Sequence, residues 1–570
     1  MIKRLTLLSL VVICVSCTSR KEENRYSGLL ADSAMVVCAH PIASQIGVDI
    51  IRKGGNAIDA AIATQFALAI VFPEAGNIGG GGFMVYRETQ GQSYALDYRE
   101  RAPAQAHPDM YLDESGNVIS GLSAKGHLAS GIPGSVDGMI EAHKKFGTLP
   151  WSTLVQPAID LALNGHPLTR RAAEHLNGIQ DHLKKYNSVL PEFLIGDWTE
   201  GDTIRWIELG HTLERIRDSG RAGFYGGKTA EDLVAEMKRG NGIITLEDLK
   251  NYKSRWLEPL RGTYKNYNII SMPPPSSGGI VLLQMLKLIE SFPLRNWDHN
   301  NAQSVHLLTE VERRAFADRS LYLGDPSFFE VPVKELLDNQ YLQERMSTFN
   351  DSQATPSSEV SPGSIRGYES TETTHISIVD KNGNAVAVTT TLNDWFGSQV
   401  VVSGSGFFLN DEMDDFSAKP GVPNMYGVTG GEANKIEPGK TMLSSMTPTI
   451  IEKNGKLFMI AGSPGGSRII TSVFQVILNV VEYDMGMQEA VDAKRFHSQW
   501  LPDAIFPERG LLQQKDSLTL VQFGHVIRPL GDLEKSLTSV GRTDCILILP
   551  NGKLEGGADR FRGDDAARGF

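Results

Sequence analysis

The chain has 570 residues, 41% of them apolar, 57 glycines and a formal net charge of −12. That composition is ordinary for a globular protein and supplies ample core. An acidic balance with no basic stripe argues against nucleic-acid binding.

The N-terminus reads as a targeting segment. Lys3 and Arg4 precede an apolar run from Leu5 to Val15, too short for a bilayer-spanning helix of about 20 residues. The run ends in Cys14-Val15-Ser16-Cys17, followed by the polar stretch Thr18 to Glu23. This resembles a bacterial lipoprotein signal, with 1–16 removed and Cys17 acylated; a plain secretory signal is the alternative. The expectation is export, as a periplasmic or outer-membrane lipoprotein. Cys38 and Cys545 then remain, in no disulfide or metal-ligand spacing, and their apolar surroundings predict buried strand positions.

Residues 43–53 predict a helix closed by Gly54-Gly55. Asn56 can cap a second helix, Ala57 to Val71, apolar on nearly every face. Four glycines, Gly79 to Gly82, lead into a strand through Tyr86, and a second strand, Ser93 to Tyr98, delivers Arg99. Residues 150–350 are mostly helical, Lys228 to Arg239 and Ala302 to Asp318 most clearly. Met272 to Gly279, with three consecutive prolines, predicts a fixed loop. Ala222 to Thr229 fits a relaxed phosphate-loop pattern, but no strand feeds it, and a turn with a helix start is the simpler interpretation.

After a polar run, Asp351 to Thr371, comes Glu372-Thr373-Thr374-His375. A cut between Glu372 and Thr373 turns an interior threonine into one carrying a free α-amine of pKa about 7.7–8.0. That amine can take the hydroxyl proton, which an amide nitrogen cannot. His375–Asp380 and Ala385–Asn393 read as strands around the turn Lys381-Asn382-Gly383-Asn384. Folding about Asn382-Gly383 brings Thr391 within a residue of pairing with Thr373. Further strands at 400–409, 447–452 and 457–462 and a helix over Arg468 to Val481 predict stacked sheet with helices outside.

Gly462-Ser463-Pro464-Gly465-Gly466-Ser467 is not a nucleophile elbow. Ala461 stands where that motif has its first glycine, and Pro464 lacks the N–H that would follow a nucleophile. Gly465 and Gly466 keep theirs and suit an oxyanion. His375 shares a strand face with Thr373, but an amine base makes it unnecessary; His497 is a weaker candidate. Asp411 to Asp415 is a solvated acidic turn, a hard-cation site or, if buried, a group in need of cationic partners.

Together with Asp97-Tyr98-Arg99-Glu100, Met413-Asp414-Asp415-Phe416 and Leu443-Ser444-Ser445-Met446, these motifs resemble the γ-glutamyltranspeptidase family of N-terminal-nucleophile hydrolases, from about Met35 to the C-terminus. The resemblance implies a four-layer αββα sandwich, self-cleaved into a large subunit, 17–372, and a small one, 373–570. It implies Thr373 as nucleophile, Thr391 as its hydrogen-bonding neighbour, and Gly465 and Gly466 as oxyanion donors. By the same resemblance Arg99, Ser444 and Ser445 would hold the α-carboxylate of a γ-glutamyl group, and Asn393, Glu412 and Asp415 its α-ammonium. Pro420 to Gly431 is similar to a lid loop with Tyr426 as its gate. No metal or cofactor is implied. The implied substrates are glutathione and related γ-glutamyl compounds, with water, amino acids or dipeptides as acceptors. Two alternatives stay open: an acylase or poly-γ-glutamate-cleaving enzyme on the same scaffold, and a non-catalytic surface lipoprotein.

Overall fold

The computed structural model describes residues 26–190, 196–360, 372–417, 419, 432–533 and 537–570. Residues 1–16 and Cys17 lie outside the described residues. Two seven-stranded antiparallel sheets carry the fold. The first runs Leu29–Ala31, Leu554–Gly557, Cys545–Ile548, Lys456–Ala461, Thr449–Lys453, Tyr267–Ser271, Leu260–Tyr264. The second runs Ala566–Gly569, Met35–Cys38, Glu372–Val379, Ala385–Asn393, Gly81–Arg87, Ser93–Asp97, Arg255–Leu257.

Strand alternation sorts the core into layers. Val36, Met84, Ile376 and Val388 of the second sheet pack into one cluster with the helices Pro41–Arg52 and Ala57–Val71. Their neighbours Val37, Phe83, Val85 and Ala387 point the other way, into a cluster shared with the first sheet. Gly278–Ile289 and Arg468–Val481 pack on the first sheet, which completes the order helix, sheet, sheet, helix.

The helix Ala57–Val71 is buried along its whole length, which explains its lack of a polar face. Its start is a capping box. Asp59 N–H donates to Asn56 Oδ1 at 2.9 Å, and Asn56 N–H donates to Asp59 Oδ2 at 3.1 Å. Ala57 N–H donates to Asp380 Oδ2 at 3.0 Å. Asp380 Oδ1 in turn accepts from Asn382 N–H at 2.8 Å and Asn384 N–H at 3.1 Å. One carboxylate therefore shapes the Asn382-Gly383 turn and docks it on a helix N-terminus, where negative charge is favoured.

Several boundaries differ from expectation. The first helix begins at Pro41, because the His40 ring accepts Ile42 N–H at 3.2 Å and proline suits the first turn. Residues 400–409 form only one bridge, Val401 with Phe408. Gly404 and Gly406, at φ 81° and 73°, turn the chain back before a ladder can extend. The proline loop is shorter than expected, since a helix starts at Gly278, and the helix from Ala302 continues to Tyr322. The phosphate-loop pattern resolves into two helices, Ala222–Tyr225 and Gly227–Arg239, preceded by a third, Ile207–Ser219. Cys38 and Cys545 are free, buried and on strands, as expected.

Replacing Asn56 with alanine removes the cap and a 2.7 Å bond from Asn56 Nδ2 to Phe146 O. The expected loss is about 1–2 kcal/mol of stability, read by denaturant titration, with unchanged turnover in the folded protein.

Candidate active site

The site grows from the central hairpin. Thr373 pairs directly with Thr391, which places their Cβ atoms about 4.5–5.5 Å apart. Glu372 pairs with Asn393, so Leu392 is the extra residue of a bulge. A bulge beside a site re-aims the side chains next to it. Asn393, at φ 85°, donates its N–H to Thr391 Oγ1 at 2.7 Å and its Nδ2–H to Asp411 O at 2.9 Å. The chain is continuous through Glu372 and Thr373, so the Thr373 nitrogen is here an amide.

The glycines Gly79 to Gly82 let the neighbouring backbone close on this hairpin. A Cβ at Gly80 would lie 2.0 Å from Thr391 O, and one at Gly82 2.6 Å from Thr389 O. Asn77 locks the arrangement. Its Nδ2 donates to Thr391 O at 2.8 Å, while its Oδ1 accepts from Gly80 N–H at 3.0 Å and Ser135 Oγ at 2.6 Å.

Opposite the threonines, Gly465 N–H donates to Thr373 Oγ1 at 3.2 Å. Gly465 and Gly466 have φ 127° and 59°, so both stand in backbone conformations that glycine reaches without strain. They lie just ahead of the helix Arg468–Val481. The Gly465 N–H aimed at Thr373 Oγ1 and the helix dipole there favour developing negative charge.

His375 is not a base for Thr373. Its ring is fully buried, with Nδ1 2.9 Å from Thr389 Oγ1 and Nε2 3.2 Å from Ser377 Oγ. Burial depresses its pKa to about 3, and the ring stays neutral. Gly462 has no Cβ because one would sit 2.1 Å from that ring. His497 is likewise buried and neutral, hydrogen-bonded to Thr471 Oγ1 at 2.9 Å.

Arg99 leaves the Ser93–Asp97 strand into a charged cluster. Its Nη1 pairs with Glu412 and its Nη2 with Asp415, while Glu100 Oε2 lies 3.7 Å from Nη1. Nη2 also donates to Leu443 O at 3.3 Å, beside Ser444 and Ser445. Burial lifts the Glu100 carboxyl to about 8 against the pull of Arg99, and drives Glu412 well above its usual range. Both shifts favour the neutral carboxyl, so one guanidinium is shared among three acids that ionise together only if further positive charge arrives.

The proline loop positions the serines. Ser277 N–H and Oγ both donate to Ser444 O, at 2.6 and 2.7 Å, and Ser444 N–H donates to Pro275 O at 3.1 Å. Arg319 Nη2 reaches Ser445 Oγ at 3.4 Å. Thr373, Thr391, Asn393 and Gly465 are joined by direct contacts, as are Arg99, Glu412 and Asp415. Asn393 Nδ2–H to Asp411 O links the two groups, while Gly466, Ser444 and Ser445 enter as chain neighbours of Gly465 and of Leu443, whose carbonyl Arg99 reaches. Tyr426 and the Glu372 side chain lie outside the described residues.

Other participants carried no sequence signal. Asn410 Nδ2 donates to Gly79 O at 2.8 Å and Gly131 O at 2.9 Å, tying the 411–415 turn to the glycine loop. Asn77 and Arg319 likewise belong to no recognisable pattern. Away from the site, His306, Glu310 and His525 lie within metal-ligand reach of one another. Glu310 is already held by Arg313, Arg314 and Thr355, and His306 Nδ1 faces His525 Nε2 at 2.7 Å.

A family model described as gamma-glutamyltranspeptidase matches residues 43–569. The chain is 44% identical over 559 residues to the glutathione hydrolase proenzyme of Escherichia coli (strain K12), covering 96% of this chain and 94% of that one. Among solved structures, cephalosporin acylase from Bacillus halodurans matches with a TM-score of 0.83 and 27% identity, covering 96% of this chain and 97% of that chain. Helicobacter pylori gamma-glutamyltranspeptidase matches with a TM-score of 0.55 and 44% identity, covering 57% of this chain and 94% of that chain.

Replacing Gly465 with alanine forces a side chain into φ 127° and puts its Cβ 3.1 Å from Gly541 Cα. The expected strain is about 1–3 kcal/mol. With the N–H displaced from Thr373 Oγ1, turnover should fall roughly 10²–10³-fold, measured in steady state on protein whose melting temperature is checked alongside.

Proposed function

The chain belongs to the γ-glutamyltranspeptidase family, and on that premise we propose that Thr373 both cuts the precursor and performs the chemistry. The activity, glutathione hydrolysis and γ-glutamyl transfer by an enzyme made as a proenzyme and processed into two subunits, is that of the family. The observation carrying the assignment of Thr373 is its hydroxyl, set opposite Thr391 and accepting Gly465 N–H at 3.2 Å.

In the precursor, Thr373 Oγ attacks the Glu372 carbonyl, and collapse of the tetrahedral adduct breaks the 372–373 amide to leave an ester. Water hydrolyses the ester, giving a large subunit ending at Glu372 and a small one starting at Thr373 with a free amine. In the mature enzyme that amine takes the hydroxyl proton as Oγ attacks the γ-carbonyl of the donor. Oxyanion charge falls towards the N–H groups of Gly465 and Gly466. Expulsion of the donor's amine half leaves a γ-glutamyl ester on Thr373, which passes to water or to the amine of an amino acid or dipeptide.

The charge-poor cluster supports the donor's orientation. An α-ammonium supplies the missing positive charge between Asn393, Glu412 and Asp415. The α-carboxylate then takes the freed fork of Arg99, where bidentate pairing is strong, with Ser444 and Ser445 beside it. This arrangement favours a donor bearing both groups over the side chain of an acylase substrate. Tyr426 we assign to a lid over the acyl-enzyme, on the sequence pattern of 420–431 alone. Export and acylation of Cys17 rest on the pattern of the first 17 residues. Membrane release after Cys17→Ala is the test, and unchanged fractionation of that variant rules the anchor out.

Hydrolysis of γ-glutamyl p-nitroanilide, with and without glycylglycine, tests the assignment. Thr373→Ala should abolish both self-cleavage and p-nitroaniline release; a full-length yet active protein removes Thr373 from its role. Thr391→Val should slow both by about ten- to a hundred-fold, the roughly 1.5–3 kcal/mol of one hydrogen bond at a reacting group.

The pH profile separates the two candidate bases. The base must be unprotonated, so kcat/KM should rise with pH through the α-amine pKa of about 7.7–8.0, adjusted by its surroundings. His375, held near 3 by burial, should add no limb between pH 5 and 9. An inflection that disappears in His375→Gln would make the imidazole the base.

A further inference from the structure

Lys125 lies outside every motif that marks the site, yet it braces the two segments that carry the ammonium-facing residues. Its Nζ donates to Asp394 Oδ2 at 2.6 Å and Gly397 O at 3.0 Å, and lies 3.6 Å from Asp411 Oδ2. Asp394 directly follows Asn393, and Asp411 directly precedes Glu412. The segments are also stitched to each other. Asp411 N–H donates to Leu392 O at 2.9 Å, and Asp394 N–H to Asp411 Oδ1 at 2.9 Å. The Asp411 side chain is 1% exposed, against 15% for Lys125 and 25% for Asp394. A carboxylate so deeply buried needs a paired cation to stay ionised. Around it stand Glu412, Asp414 and Asp415, and Lys125 and Arg99 bring positive charge to this turn.

Two neighbouring contacts come from the same short strand of chain. Ser123 Oγ donates to Asp414 Oδ1, and Gly126 N–H donates to Ser398 O at 2.9 Å. Residues 123–126 therefore form a strut beneath the acidic turn, built from the part of the chain before Thr373 and bearing on the part after it.

We propose that Lys125 is a specificity-determining positioning residue, whose ion pairs with Asp394 and Asp411 hold Asn393 and Glu412 in register for the donor's α-ammonium. The proposal rests on the assignment of Asn393, Glu412 and Asp415 to that ammonium. It makes Lys125 matter for α-amino donors and not for donors lacking the amine, since Thr373, Gly465 and Gly466 are held by other contacts. Lys125 itself touches no reacting atom.

The experiment compares γ-glutamyl p-nitroanilide with glutaryl p-nitroanilide, the same anilide without the α-amine, on the mature enzyme. Lys125→Met should raise KM for the first by about ten-fold or more, the effect of stripping one partner from a buried charge pair. Its kcat should stay within about three-fold, and kcat/KM for the glutaryl anilide should hardly change. Lys125→Arg should restore most of the lost preference, and Asp394→Asn, at the more exposed end of the pair, should reproduce the loss. Asp415→Asn is the reference. If it leaves the preference for the α-amine intact, the ammonium site itself is misassigned. If it abolishes the preference while Lys125→Met and Asp394→Asn retain it, Lys125 has no such role. Equal loss on both donors with normal self-cleavage also overturns the proposal, and if Lys125→Met fails to fold, Asp394→Asn decides.

Discussion

The pairing of Glu372–Val379 with Ala385–Asn393 is the constraint from which the site follows. A slip of one residue in Glu372–Val379 would send Thr373 to the helical face and bring Thr374 to the inter-sheet face, away from and beside Thr391 respectively. Three features hold the register. Asp380 shapes the turn, Thr390 is claimed on the helical side by Gln65, Asn77 and Gly81, and His375 fills the space against Gly462. The neutral imidazole thus has a mechanical role: it fills a gap that also sets how closely the Gly462–Gly466 loop approaches Thr373.

The site is costly to build. Glu100, Asp411, Glu412, Asp414 and Asp415 are all buried, where an unpaired carboxylate is strongly disfavoured. Burial lifts Asp414 to about 7 and Asp411 well above its usual range. Such clustering has no evident benefit for stability, since hydrophobic replacements commonly serve a core as well or better. It does give a cluster whose acids would be stabilised by added positive charge, the kind of perturbed group that gathers at functional sites.

Local chemistry made much of this legible beforehand. The Asn-Gly turn predicts its hairpin because few residues tolerate the left-handed conformation of Gly383, at φ 82°. The capped helix at Asn56 and the helix Arg468–Val481 carry their signals within one or two turns. Residues 400–409 misled, since alternation of apolar residues says nothing about whether glycines will reverse the chain before a ladder forms.

The sequence by itself singled out Thr373, the hairpin that gives it a neighbour and the glycine pair that faces it, and through its motifs it identified the family. Each of these depends on residues within a few positions of one another, or on patterns that recur as a unit. The tertiary structure alone decided that Asn77, Asn410 and Lys125 support the site, that His375 is a spacer, and that Arg99 is shared among three acids. Those relations join positions up to more than 300 residues apart, as with Asn77 and Thr391. Their chemistry is that of ordinary asparagine, lysine and histidine until folding removes the water and leaves each polar atom with one partner in reach.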